Sequence, residues 1–153
     1  MQREIPARTL GSGVLGALAL TGLHQWARQV TPEAPRMDVL GRRALARLLW
    51  SQGRVPPRRR RLQRWALAGD LLSNSAFYDL VALFPGEQPI KRGLWLGVLA
   101  GVGGVVLPGP LGLGKGPSGA TLQRKAMTVL WYAVGGLVTG AAYQWLSRPR
   151  AEG

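Results

Sequence analysis

The chain has no cysteine, which removes disulfides, thiolate metal sites and cysteine nucleophiles together. Histidine is nearly missing as well: His24 is the single one in 153 residues. A metal centre would have to combine that one imidazole with scattered carboxylates that lack any ligand spacing, so no metal is expected. A hydrolase is equally poorly served, because Ser73 and Ser75 have no histidine near them and a triad would depend on His24 alone. Acidic residues are few, 7 against 20 lysines and arginines, which gives a formal net charge of +13. Lysine itself is scarce, confined to Lys91, Lys115 and Lys125, and this arginine bias suggests a GC-rich bacterial coding sequence.

What the chain does have is apolar sequence gathered into runs. Mean hydropathy is only +0.04, but that average mixes two populations, arginine-rich segments and long greasy ones. The greasy runs cover roughly 10–26, 65–84, 93–113 and 126–146. A hydrocarbon core of about 30 Å is crossed by a helix of about 20 residues, so four such runs predict four spans. The fold class expected is therefore all-α, a multi-pass transmembrane helical bundle forming one membrane domain over 1–153. The first run has a rival reading as a secretory signal, since Arg3 and Arg8 precede it and Ala17-Leu18-Ala19 has the small-x-small form. Cleavage there would leave fewer than about ten apolar residues, so a retained helix is the reading adopted, with a re-entrant or interfacial segment as the third option.

A pI near 11.7 in a soluble protein would point toward nucleic acid. Here the positives have a simpler use. Eleven of them, from Arg28 to Arg64, fall between the first two runs, where the positive-inside rule puts a cytoplasmic loop. The loop also lacks the aromatic interleaving on which bases stack, so no nucleic acid is expected. With the loop 28–64 inside, Lys115, Arg124 and Lys125 return to the same face, giving fourteen basic residues inside and six outside. Arg3 and Arg8 oppose this orientation. Trp26, Trp65, Trp95 and Trp145 sit near the ends of runs, where indoles favour the headgroup region. The predicted location is a bacterial inner membrane.

Inside the basic loop, Met37, Leu40, Ala44, Leu45, Leu48 and Leu49 recur at spacings of three and four, with Arg42, Arg43 and Arg47 opposite them. This predicts an amphipathic helix on the inner leaflet, capped by Asp38 and ended by Gly53 and Pro56-Pro57. Packing on the bundle as ordinary core is the alternative. The run Arg58, Arg59, Arg60, Arg61 and Arg64 follows. Together with Arg42, Arg43 and Arg47 these are the candidates for contact with anionic lipid, each contributing at most about 1 kcal/mol near a charged leaflet. An orientation signal without lipid specificity is the plainer account of them.

Helices in lipid associate through close packing of small residues. Gly93, Gly97 and Gly101 form successive GxxxG steps on the third run and Gly136 and Gly140 form one on the fourth. They predict close helix pairs, within the chain or between copies. Beyond Pro108 and Pro110, the glycine-rich stretch 107–119 reads as a flexible loop. It nearly matches a phosphate-binding loop at Gly109 and Gly114-Lys115, but Gly116 replaces the hydroxyl residue and Pro117 and Gly119 replace a helix start, so nucleotide binding is rejected.

The polar groups of the second run are the remaining chemistry. Asp70, Asn74 and Asp79 lie within it, and an aspartate at the centre of a span costs about 2.5 to 3.5 kcal/mol on insertion scales. Nine residues separate the two carboxylates by about 13 Å of rise and about half a turn, so they serve different neighbours and form no dyad. The topology brings His24 and Asp70 to one leaflet, where an interhelical hydrogen bond or ion pair between them is one hypothesis and a structural role for each apart from the other is the alternative. No cofactor is implied. The function expected is an interaction, accessory or scaffold protein, partnered by anionic lipid and by a second copy or another membrane protein. A small oligomeric channel or transporter using Asp70, Asn74 and Asp79 is the main alternative, and a lipid-acting enzyme ranks third.

Overall fold

The computed structural model describes residues 11–84 and 88–148, and among these every regular element is helical, with no strand. Helix α1 is Ser12–Val30, α2 is Met37–Ser51 and α3 is Arg59–Asp79, continued by a 3-10 turn at Leu80–Ala82. Helix α4 is Pro89–Val106, α5 a single turn at Gly116–Gly119, and α6 is Leu122–Leu146. Arg3 and Arg8 lie outside the described residues, as does most of the loop from Pro85.

Two helices, α4 and α6, are long and apolar enough to cross a membrane. At a rise of about 1.5 Å per residue they measure about 27 and 37 Å. Of the four predicted spans, α1 and α3 do not reach that standard, and the reason is chemical. Helix α1 carries His24, Gln25, Arg28 and Gln29 in its last turns, and α3 opens on Arg59, Arg60, Arg61 and Arg64 before reaching Asp70 and Asn74. The helices also keep different bounds from the apolar runs. Helix α3 starts six residues ahead of its run, and α4 stops at Val106, because Pro108 and Pro110 cannot continue it.

The four long helices pack in a row: α3 lies on α1, α1 on α6, and α6 on α4, while α3 and α4 scarcely meet. Each contact is antiparallel. Gly13 lies against Ser75 and Asp79, Gly16 against Gly135 and Thr139, and Gly93, Gly97 and Gly101 against Gly136, Tyr132 and Val129 in descending order. The interior is accordingly made of small groups. Ala17, Ala27, Ala66 and Ala133 are buried with these glycines and with Thr128 and Thr139, around a cluster of Leu20, Tyr78 and Tyr132. The large apolar side chains point outward, among them Leu18, Leu72, Leu99, Val102, Leu130 and Leu137.

One end of the row gathers α2, α5 and the connecting turns. The turn after α1 and the start of α6 are tied there by side chains, Arg124 donating to the Glu33 carbonyl at 3.3 Å and the Gly116 carbonyl at 3.0 Å. Thr121 caps α6, accepting from the Arg124 amide at 3.1 Å. Helix α2 ends at Gly53, whose φ of +70° suits glycine, with Arg54 N–H reaching back to the Leu49 carbonyl at 2.8 Å. The expected cap at the other end of α2 is absent: Asp38 lies in the first turn, and no side chain caps the helix.

A Cβ on Gly97 would collide with the Tyr132 carbonyl and come within 2.8 Å of the Ala133 Cα. Gly97→Val is therefore expected to destabilise the protein by about 1 to 3 kcal/mol. Gly22→Ala, where nothing stands within 4 Å, is expected to gain about 0.5 to 1 kcal/mol. Thermal unfolding in mild detergent checks both, and equal midpoints for the two variants would contradict the packing described.

Candidate functional site

The polar side chains of α1, α2 and α3 converge on one cavity of about 60 Å³, lined by Thr21, His24, Gln25, Arg28, Asp38, Gln63 and Asp70 among others. His24 and Asp70, the candidates for an interhelical hydrogen bond or ion pair, both line it. They share no direct hydrogen bond. His24 uses Nδ1 on the Leu20 carbonyl one turn earlier, at 3.0 Å, and sets its ring edge-on to Trp131 and Tyr132, with centroids 5.1 and 6.0 Å away. Asp70 accepts from Asn74 Nδ2 at 3.1 Å within its own helix. Among the described residues the buried Thr21 hydroxyl and His24 Nε2 have no protein partner. A space of about 60 Å³ has room for a few water molecules beside these polar groups.

Asp79 serves another neighbour. Its carboxylate accepts the Gly13 amide at 2.7 Å and the Ser12 hydroxyl at 3.4 Å, so it caps the first turn of α1 from the far end of α3. An anion at a helix N-terminus answers both the free amides and the helix dipole. Between the two aspartates, Tyr78 is fully buried and donates to the Tyr132 carbonyl at 2.7 Å, joining α3 to α6. Spacing along the sequence gives no role to Gln63 or Tyr132, and it marks Thr21 only as a small residue of the first run and Tyr78 only as a polar residue of the second. Tyr78 was discoverable, since a phenol inside an apolar helix must place its hydroxyl on an acceptor.

Arginines surround the cavity's outer rim. Asp38 receives Arg28 at 3.5 Å, Arg36 at 3.2 Å and Arg42 at 3.2 Å. Burial acts to raise its carboxyl, but the Arg36 hydrogen bond and the charges of Arg28, Arg36 and Arg42 outweigh it and hold the group below its ordinary value. Across α2 lies a second, basic groove of about 600 Å³, lined by Arg42, Arg43, Arg47 and Arg59 with Trp50 and Leu62. The chain beyond α4 closes over it. Gly112 and Gly114 take φ of +68° and +83°, and a Cβ on either would run into the guanidinium of Arg47 or of Arg43. Arg43 also donates to the Leu113 carbonyl at 2.8 Å. This stretch, expected to be a flexible loop, is held by bonds from Gly112 N–H to Gly109 and from Leu113 N–H to Pro108, and Gly116–Gly119 does form a helical turn. Arg58, Arg60, Arg61 and Arg64 are exposed at the start of α3, outside the groove.

Where α3 and α4 part, an apolar groove of about 760 Å³ opens beneath α2, lined by Leu45, Leu48, Leu99, Leu107 and Leu111, with Asp70, Asn74 and Tyr132 also on its walls. The apolar stripe predicted for α2 faces this groove. Among the described residues no group of three or more histidine and acidic side chains is arranged to hold a metal. No family model, curated protein or solved structure matches this chain.

Because the Asp38 carboxyl is held below its ordinary value of 3.8, the stability it contributes is present above that pH and is lost as pH falls through the lower, folded value. Asp38→Asn is expected to cost about 1.5 to 3 kcal/mol at neutral pH, the range for hydrogen bonds to charged groups. The gap between variant and parent should close in acid below pH 3.8. Unfolding midpoints measured across that range test it, and a constant gap would remove Asp38 from the account.

Proposed function

We propose that the chain is a four-span integral-membrane interaction protein, an accessory or scaffold subunit oriented and held at the inner leaflet by its arginines. The observation that carries this is the inverted distribution of side chains: glycine, alanine and threonine inside, leucine, valine and tryptophan outside. In water such an exterior would drive aggregation, whereas in lipid it costs nothing, and the small interior is what lets helices associate there. The antiparallel row supports the same reading. Of the sixteen basic residues from Arg28 to Lys125, all but Lys91 and Arg92 belong to segments at or leading to one end, as the positive-inside rule asks. Trp26 and Trp65 are exposed near that end, and Trp95 and Trp145 toward the other. Arginine usage points to a bacterial inner membrane.

An interaction role is favoured over permeation by what the intramembrane polar groups are doing. Asp79 is engaged as a helix cap and Asp70 by Asn74. Such contacts between spans are ordinarily structural. The polar cavity is of water size. The open α3–α4 side, in contrast, offers a broad apolar surface to a neighbour.

The absence of cysteine makes the topology directly testable. Single cysteines introduced by Gln52→Cys, between α2 and α3, and by Gln88→Cys, ahead of α4, are expected to react with a membrane-impermeant maleimide from opposite sides, Gln52→Cys only in inverted vesicles. If α4 and α6 alone cross the bilayer, both positions react from the same side and the four-span reading fails.

A further inference from the structure

We infer that the groove between α2, the start of α3 and the loop after α4 is a binding site for one anionic phospholipid, its phosphate held by Arg43, Arg47 and Arg59 and an acyl chain entering the neighbouring apolar groove. This rests on the membrane reading above and adds to it a defined site in place of a general attraction to the leaflet.

Charge complementarity is the first argument. The four described carboxylates are all engaged elsewhere: Glu33 with Arg124, Asp38 with Arg28, Arg36 and Arg42, Asp70 with Asn74, and Asp79 with the start of α1. Among the described residues none of them pairs with Arg43, Arg47 or Arg59, which line one groove and leave it strongly positive. Guanidinium forks match phosphate oxygens in pairs, which a diffuse ionic cloud does not reproduce.

Positioning is the second. Arg43 spends one N–H on the Leu113 carbonyl, and the left-handed backbone at Gly112 and Gly114 brings the loop directly against both guanidinium groups. Their side-chain freedom is thereby restricted before any anion arrives, which lowers the ordering cost of binding. Arg43, Arg47 and Arg59 are exposed, as Arg58, Arg60, Arg61 and Arg64 are, but among these only Arg43 and Arg47 have the loop set against them.

The third is amphiphile geometry. Leu113 lines both the basic groove and the larger apolar one, so a charged end and a greasy tail of one molecule find adjoining sites. A free phosphate would use only the first, and a nucleic acid would leave the second unfilled.

The test uses the full chain purified in mild detergent and native mass spectrometry with added phosphatidylglycerol or phosphatidylcholine. The parent protein is expected to retain one phosphatidylglycerol per chain at concentrations where phosphatidylcholine is lost. The double variant Arg43→Gln/Arg47→Gln should weaken that retention by about tenfold or more, and Arg60→Gln/Arg61→Gln, the same change of charge outside the groove, should stay within about twofold. Should the first variant fold poorly, Arg59→Gln, which supports no loop contact, is expected to show the same direction of loss. Equal losses for both double variants, no preference between the lipids, or RNA binding that depends on Arg43 and Arg47 while lipid retention does not, would overturn the site. A chain that stays monodisperse without detergent would instead sink the membrane reading itself.

Discussion

The fold depends on backbone meeting backbone along α6. Gly136 lies against Gly93, Tyr132 against Gly97 and Val129 against Gly101 on one side, while Gly135 and Thr139 take Gly16 of α1 on the other. These contacts are so close that a Cβ on Gly16, Gly93, Gly97, Gly101 or Gly136 would collide with the partner's backbone or, at Gly16, with the Thr139 hydroxyl as well. Dispersion between well-fitted surfaces and short approach of the peptide groups hold these seams, with few large apolar side chains between them. With α6 holding α4 and α1 this way, α3 lies mainly on α1 and reaches α6 through Tyr78, and the row stays open between α3 and α4.

The polar residues then complete a scaffold that small-residue packing leaves under-determined. Helix α3 meets α1 with fewer close glycine contacts, and its position is set by named hydrogen bonds: Asp79 on the first turn of α1 and Tyr78 on the Tyr132 carbonyl. At the basic end, Arg124 and Arg36 reach the carbonyls of Glu33, Gly116 and Pro117, fastening the α1–α2 turn to α5 and α6. Carboxylates are scarce in this chain, and each described one is spent on geometry.

Much of this was legible in the residues. The helical class and α2 follow from spacing, because period is a local property, whereas Gly16 and Gly135 make close contacts without belonging to any of the glycine steps singled out in the sequence. The ends of α3 and α4 were less so: an apolar run records where lipid-like sequence lies, whereas a helix continues through Arg59 to Arg64 as long as nothing breaks it. Asp38 looked like a cap because it opens an amphipathic stretch, but three guanidinium groups compete for it and win. His24 and Asp70 line one cavity without the hydrogen bond or ion pair suggested for them, and the company of Thr21 and Gln63 was not readable, since it depends on how α1 sits when Gly13 and Gly16 are pressed against their partners.

The arginine excess divides along the same line between sequence and structure. Orientation in a bilayer requires only that positive charge accumulate on one side of the spans, at any position and in any rotamer. Arg58, Arg60, Arg61 and Arg64 satisfy that requirement while exposed at the start of α3. Arg43 and Arg47 are different in kind, because a loop with two left-handed glycines is bent onto them and a leucine of that loop joins their groove to an apolar one. A topogenic signal has no use for fixed guanidinium groups. Backbone committed to holding two of them in place is the observation on which the proposed anion site rests, and the adjoining apolar groove is why a lipid headgroup is the anion proposed.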